Sequence, residues 1–382
     1  MKRDHSPTVD VALQARIDTA RERTLAWLMS MQVPSLPRGV SRISAAHDAA
    51  RWPGVLLPGT YNAVMVSSLL GALDVWSTAD RQSLAQWLIS HRRPDGVFRT
   101  PGMCDDAVFK KPDPVETWRY IDFHVSNYTL GALDVLAPER VPVLDFAQPW
   151  LDPQVLKAWL AERDLRDPWQ EGNNIVNLAG FLMLMARHGD APTQAQVDTC
   201  LTILFDWHDR LQEPATGFWG VGQLSDPLRA LHAMAGSMHN FHLWYALGRP
   251  LPYQDKAVDW SLAQPLRIDS ACIDVDLVDL LVHAHGQIDH RRAETESWLR
   301  AMLPQLLAFQ SVDGGFADTR KGVRRQDGWV RGYEEPQGLS NTFATWFRWI
   351  AIAMIADCLW PGRWDWKFRR MVGIGYRKPA ST

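Results

Sequence analysis

Polar and ionisable residues that could take part in catalysis or binding lie near the beginnings of six predicted buried helices. Several of these beginnings carry two or three polar side chains. They are Tyr61 and Asn62; Asp122, His124 and Asn127; Glu171, Asn173 and Asn174; His239, Asn240 and His242; Asp269, Asp274 and Asp276; and Asn341 and Thr342. Asn and Asp at a helix start often cap the free N–H groups of the first turn. One cap per helix is enough, so the surplus predicts a polar pocket where these helix starts converge.

These residue types suit carbohydrate chemistry. Glycoside hydrolysis needs paired carboxylates, one as acid and one as base or nucleophile. The candidates are Asp122, Glu171, Asp274 and Asp276. A polysaccharide lyase would instead neutralise a uronate with Asn or Arg and abstract a proton with His or Tyr. The candidates for that role are Asn173, Asn174, His239 and Tyr61. A sugar epimerase belongs to the same class, and no local motif separates these alternatives.

Nineteen Trp residues are unusual for 382 residues. Indole rings bury a large area in a core, and they also line cavities. There they stack on sugar rings or stabilise carbocations through the ring quadrupole. The excess of Trp is therefore consistent with either chemistry.

A basic segment, 320–331, separates the last two predicted helices. Its cations, among them Arg324 and Arg325, suit a carboxylate or a diphosphate. Gly322 and Gly328 permit changes of backbone conformation. We expect this segment to order over the pocket when an anionic ligand binds, the alternative being a solvated surface loop.

The elements that position these residues show helical periodicity, and no strand pattern is convincing. Six predicted outer helices mix charged and apolar residues: 12–32, 79–92, 152–163, 194–211, 254–264 and 293–310. Six predicted inner helices are apolar nearly all round: 60–76, 119–136, 172–187, 226–247, 269–286 and 338–359. Pairs of this kind bury their apolar faces only by stacking on their neighbours. The alternation predicts an all-α fold, an (α/α)6 toroid of six inner and six outer helices.

Composition limits the partners and the compartment. The net charge of −3 indicates no broad nucleic-acid surface. The four cysteines are far apart, and no apolar run has transmembrane length. We expect a cytoplasmic protein with a small-molecule substrate, saccharide or prenyl-type and possibly anionic. Without a linker-like segment, 1–382 is predicted to be one domain, with a core at about 12–359 and a tail at 360–382.

Three segments repeat one arrangement, a helix end followed by a turn rich in Gly and Asp that ends on an aromatic residue. They are 87–98, 205–220 and 307–316. These turns resemble the QW-type repeats of the terpene cyclase and protein prenyltransferase superfamily. Gln310 is the well-placed glutamine of the pattern, while His91 and either His208 or Gln212 take its place elsewhere. The resemblance covers about 12–359 and implies the toroid fold in a divergent single-domain member.

The run from Ile273 to Asp279 resembles the DxDD motif of class II terpene cyclases. That resemblance implies that Asp276 is the acid that protonates an alkene or epoxide, with Asp274 as its first partner. Leu277 stands where the motif has its third aspartate. Asp279 lies one turn from Asp276 on the same helix face and is the expected substitute.

The superfamily also includes zinc enzymes that use Asp, Cys and His ligands. Asp269, Cys272 and His283 supply those types, although the spacing from Asp to Cys differs from the family's. His239 and His242 are one helical turn apart, as a metal site would allow. Hydrogen-bonded structure or substrate contact is the preferred interpretation, and we predict neither metal nor cofactor.

The sequence therefore favours an acid-initiated cyclisation or isomerisation of a prenyl-type substrate. Asp276 would be the acid, supported by Asp274 and Asp279. Trp244, Trp346 and Tyr61 are the expected cation-stabilising walls. A carbohydrate-active toroid enzyme is the alternative, and a toroid that binds a ligand without catalysis is the third.

Overall fold

The computed structural model describes residues 7–103, 120–222, 226–266, 268, 270–319, 329–336 and 338–377. Over these residues the protein is all-α, and its only extended pairings are isolated bridges. The α-helices are α1 (Pro7–Met31), α2 (Leu56–Leu69), α3 (Thr78–Ile89), α4 (Tyr120–Leu136), α5 (Pro153–Ala161), α6 (Pro168–His188), α7 (Ala191–Leu211), α8 (Pro227–Leu247), α9 (Gln254–Ala263), α10 (Ala271–Gln287), α11 (Arg292–Ala308) and α12 (Thr342–Leu359).

Burial separates the even-numbered helices from the odd-numbered ones. In α7 the buried residues include Val197, Cys200, Leu201 and Leu204, the spacing of a helix with one buried face. The helix α12 is buried on nearly every side. Among the described residues only α12 is long and apolar enough to cross a membrane, and 83% of that stretch is buried inside the protein. It is therefore a core helix.

The even-numbered helices pack in sequence. Helix α2 contacts α4, and the contacts continue through α6, α8 and α10 to α12, which in turn contacts α2. The helices α6 and α8 approach most closely where two glycines meet. A methyl group on Gly236 would lie 2.0 Å from the backbone oxygen of Pro168. Asn240 fastens this crossing, since its Nδ2 donates to the backbone oxygens of Gly172 and Gly236 at 3.0 and 2.9 Å.

The aromatic-ended turns share a set of hydrogen bonds. In each one a backbone N–H donates to a Ser or Thr hydroxyl on the next even-numbered helix. The pairs are Phe98 with Ser126, Trp219 with Ser237, Phe316 with Thr345 and, in a fourth turn after α1, Ser41 with Thr60, at 2.8 to 3.0 Å. The fourth turn lacks the aromatic residue and is not recognised from the sequence. A bond of this kind contributes about 1 kcal/mol and fixes the turn against the helix.

Glutamines join these turns to their neighbours. The Nε2 of Gln310 donates to the backbone oxygens of Gly314 and Ala20, at 2.9 and 2.8 Å, and so links the end of α11 to α1. The Nε2 of Gln212 likewise donates to the backbone oxygen of Gly217, at 2.8 Å. His208 is occupied elsewhere, with Asn240 and the backbone of its own helix. Gln212 is therefore the residue equivalent to Gln310.

The chain beyond α12 does not trail away from the protein. Residues 369–376, called the C-terminal strap below, turn back between the even-numbered helices. Met371, Val372, Ile374 and Tyr376 are buried. Gly375 packs on Ile350 of α12, and a methyl group on Gly180 of α6 would lie 3.2 Å from the backbone oxygen of Val372. The strap therefore packs against the middle parts of α4, α6 and α12.

Candidate functional site

The polar residues near the starts of the even-numbered helices are mostly not caps. The caps of α6, α8 and α10 are Asp167, Asp226 and Ser270, whose side chains accept first-turn N–H groups. Asn341 is the exception, since its Oδ1 accepts from the N–H of Ala344 at 2.7 Å. The predicted residues therefore lie inside the helices, where their side chains are available for other contacts.

Most of these residues are buried. Tyr61, Asn62, His124, Glu171, Asn173, Asn174, His239, His242, Asp274, Asp276, Asp279, Asn341, Trp244 and Trp346 all belong to the buried set. Asp122 is partly buried and pairs with Arg99 at 2.8 Å. Arg324 and Arg325 lie outside the described residues, so their anion-binding role stays a prediction.

An aromatic cluster forms around His124. Its ring lies 5.1 Å from that of Tyr120, 4.5 Å from that of Tyr128 and 5.1 Å from that of Trp329. The Nε1 of Trp329 donates to the hydroxyl of Tyr61 at 3.1 Å. Trp329 has a left-handed backbone, with φ of 57°, a conformation that a residue with a side chain adopts only when its surroundings hold it. The end of the basic segment thus lies against the starts of α2 and α4.

Trp346 extends this cluster, and Trp244 does not. The ring of Trp346 lies 5.1 Å from that of Tyr128. Trp244 packs against Phe205 and Trp219, between α8 and the turn after α7. Of the predicted aromatic walls, Tyr61 and Trp346 therefore lie together, while Trp244 contributes to packing elsewhere.

Asp276 is fully buried on α10 and faces α8. The Nε2 of His239 lies 3.2 Å from its Oδ1. Its Oδ2 is buried and has no hydrogen-bond partner within the described residues. Burial, opposed by His239, raises the pKa of the Asp276 carboxyl to about 6. With a pKa of about 6, about a tenth of this carboxyl is protonated at pH 7 and about half at pH 6, and the Oδ2 is where it could deliver the proton.

Asp276 and the aromatic cluster are neighbours. Burial and, to a smaller extent, the nearby His239 together lower the pKa of His124 to about 3. Burial raises the pKa of Tyr128 well above its ordinary value, and the Cys272 thiol, one turn before Asp276, adds to the rise. The carboxyl, a neutral imidazole and several aromatic rings therefore share one buried region.

One turn after Asp276 on α10, Asp279 forms a second set of contacts. Its Oδ1 lies 2.9 Å from the Nε2 of His242 and 2.9 Å from the Nδ1 of His283. The His283 ring stacks on Tyr245 with centroids 4.2 Å apart. Although burial opposes ionisation, the two histidines hold the pKa of Asp279 far below its usual range. Burial lowers the pKa of His242, and the Asp279 carboxylate opposes that shift.

These three residues are the metal-ligand group found in the described chain. The ligand atoms of His242, Asp279 and His283 lie within 4.8 Å of one another. Each imidazole nitrogen that faces Asp279 is already at hydrogen-bonding distance from it. The group is a hydrogen-bonded Asp with two His partners, and a cation would have to displace both contacts. Asp269, part of the other metal set weighed from the sequence, lies outside the described residues.

Asp274 has a partner that the sequence did not reveal. Arg348 of α12 is fully buried, forms an ion pair with the Asp274 carboxylate and donates to the backbone oxygen of Asp318 at 2.7 Å. The charge of Asp274 raises the pKa of Asp276, but by less than burial does. A charged residue within the otherwise apolar α12 is the signal that could have identified Arg348.

Neither described protein families nor curated proteins provide a match for this sequence. The function therefore has to be argued from the geometry of the site.

Proposed function

We propose that the even-numbered and odd-numbered helices form the inner and outer rings of an (α/α)6 toroid. The proposal is supported by the contacts between consecutive even-numbered helices, which return from α12 to α2. The one-sided burial of the odd-numbered helices and the repeated turns agree with it. A single domain, a cytoplasmic location and a resemblance to the terpene cyclase superfamily stay predictions from the sequence.

We further propose that the protein is an enzyme of the terpene cyclase type that starts its reaction with an acid. The observation that carries this proposal is Asp276. Its carboxyl is buried, has a pKa of about 6, receives His239 on one oxygen and has no partner on the other. A catalytic acid is most effective when its pKa lies near the working pH.

The proposed step transfers the proton from Asp276 to one carbon of a substrate alkene. The alkene electrons form the new C–H bond, and the adjacent carbon becomes a cation. Attack by a second alkene closes a ring, or loss of a neighbouring proton moves the double bond. The final proton goes to solvent, and a solvent proton restores the acid, so the net reaction is an isomerisation.

Two features of the site suit this step. The Nε2 of His239 donates to Oδ1 and stabilises the carboxylate left behind, a role for which the DxDD motif has a further aspartate that Leu277 replaces. The rings of Tyr61 and Trp346 both pack on Tyr128, whose pKa is raised in part by the Cys272 thiol, one turn before Asp276. Such rings stabilise a cation by about 0.5–2 kcal/mol each.

Carbohydrate chemistry is the second candidate, and the polarity of the region favours it. Asn62, His124, Glu171, Asn174 and Asp276 are all buried in the first two turns of even-numbered helices. A hydrocarbon would leave the buried Oδ1 of Asn62 and Nδ1 of His124 without a hydrogen bond, whereas sugar hydroxyls would provide one. Glu171 and Asp276 would then be the paired carboxylates.

An incubation in D2O tests the proposal. Linear prenyl alcohols and prenyl diphosphates of increasing length are supplied to the wild type and to Asp276→Asn, and the products are analysed by mass spectrometry. We expect a cyclised or isomerised product with one new carbon-bound deuterium in the wild type and none in the variant. A panel of oligosaccharides and uronate-containing polymers runs in parallel. Turnover of a sugar alone would favour the second candidate, and no turnover of either set would favour a binding protein.

A further inference from the structure

The C-terminal strap brings a buried cation between α4 and α6. The side chain of Arg369 is 3% exposed. Its Nη2 donates to the backbone oxygen of Asn127 at 2.9 Å and also contacts the Asn127 Oδ1. Glycine at position 131 of α4 makes room for it, because a methyl group there would lie 2.9 Å from the guanidinium.

Arg369 keeps two donors that nothing in the described chain accepts. Its Nε and Nη1 are buried and have no hydrogen-bond partner. Burial lowers the pKa of the guanidinium to about 10, so it is still charged at neutral pH. A buried charge with unused donors is costly unless an acceptor reaches it.

Two buried amides add further donors of the same kind. The Nδ2 of Asn127 has no partner and lies 3.2 Å from where a methyl group on Gly180 would stand. Asn177 precedes Gly180 by one turn on the same face of α6, is buried, and its Nδ2 is also without a partner. The nearby carboxylate of Asp134 is engaged with Arg187 at 3.0 and 3.1 Å.

We propose that Arg369, Asn127 and Asn177 form a binding site for an oxyanion, either a carboxylate or a phosphate group. All the unused groups are N–H donors, and the guanidinium fork matches the geometry of both anions. The site lies beside Tyr128, whose ring centre is 5.9 Å from the guanidinium carbon. It does not depend on the acid chemistry proposed for Asp276.

Calorimetric titration of the full-length protein tests the site. Inorganic phosphate and acetate are titrated separately, in chloride buffer of constant ionic strength. Saturable binding of one anion is expected, and the anion that binds more tightly identifies the class. If neither anion binds to the wild type, the donors are structural and the proposal is wrong.

The decisive variant is Asn177→Leu, which removes a donor that has no partner at nearly constant volume. The affinity for the anion should fall about tenfold. The melting temperature without anion should stay the same or rise, because an unsatisfied buried donor is gone. Arg369→Met should abolish binding, but it also removes the hydrogen bonds from the strap to Asn127. The Asn177 variant is therefore the more specific test.

Two controls separate this site from other effects. Arg370→Gln alters the neighbouring cation of the strap, which binds the backbone oxygen of Asp134, and should bind the anion as the wild type does. Asp276→Asn should also retain full affinity, whatever its effect on turnover. Unchanged binding in Asn177→Leu, or an equal loss in Arg370→Gln, would contradict the assignment.

Discussion

Two His–Asp pairs lie between α8 and α10, one turn apart, and they differ in how strongly they hold a proton. His239 meets Asp276, and His242 meets Asp279, both through Nε2 and with fully buried carboxyls. The first carboxyl has a pKa raised to about 6, and the second has a pKa far below its usual range. The second carboxyl has one additional contact, His283 on the same oxygen. For these two buried aspartates, the number of imidazole partners therefore separates a carboxyl that can hold a proton from one that is an anion.

The largest expected effect is on turnover. Asp276→Asn keeps the shape of the side chain but has no acidic proton, so activity should fall by about a hundredfold or more. The fold should persist, and circular dichroism and the melting temperature check this. Wild-type turnover in the Asp276→Asn protein would show that Asp276 is not the catalytic acid.

The matched variant Asp279→Asn should instead lose stability. The Asp279 carboxylate lies within hydrogen-bonding distance of two histidines, and hydrogen bonds to a charged group contribute about 1.5–3 kcal/mol each, so weakening both should cost about 3 kcal/mol. Urea denaturation at pH 7 measures the free energy of unfolding of both variants. Equal losses in the free energy of unfolding for Asp276→Asn and Asp279→Asn would mean that the two His–Asp pairs contribute equally to stability.

The two His–Asp pairs are contacts between different helices, and the sequence alone could predict them only in part. The helices and their alternation of burial were predictable, because periodicity records which faces are buried. The aspartates were recognisable as a set, but the partner of each one was not. Arg348 lies 74 residues after Asp274 in the sequence. Arg369, which contacts Asn127, belongs to a segment that the sequence predicts to be only a tail. Such pairings depend on how helices distant in the sequence pack together, which local sequence does not encode.

The two carboxyls should also respond to pH in opposite directions. The pKa of Asp276 is higher in the folded state than in the unfolded chain, so its contribution favours folding at acidic pH. That contribution is lost as the pH rises from about 4 to above 6, by about 3 kcal/mol. Asp279 has a lowered folded pKa, so its contribution is present above about pH 4 and is lost below it.

Unfolding measurements between about pH 3 and pH 8 test the direction of both pH effects. The free energy of unfolding of Asp276→Asn, relative to the wild type, should rise between pH 4 and pH 8. That of Asp279→Asn should recover relative to the wild type only as the pH falls below about 4. Parallel pH curves for the wild type and Asp276→Asn would be inconsistent with a raised pKa.

A smaller effect is expected when the second imidazole is removed. His283→Phe keeps a ring to stack on Tyr245 but deletes the nitrogen that contacts Asp279. Asp279 then has one His partner, as Asp276 does, and its pKa should rise towards the ordinary range. The expected loss of stability is about 1–3 kcal/mol. His285→Phe, which removes a partly buried contact with Glu296, is the control and should leave the pKa of Asp279 unchanged.

The most direct test is a carbon-13 NMR titration of the aspartate side-chain carboxyls, with Asp276 and Asp279 assigned from their Asn variants. It requires no knowledge of the substrate. We predict that the Asp276 signal titrates near pH 6 and that the Asp279 signal remains that of a carboxylate down to the lowest pH at which the protein is folded. Titration of Asp276 at or below the ordinary pKa of an aspartate would contradict the central claim that this buried carboxyl is the acid.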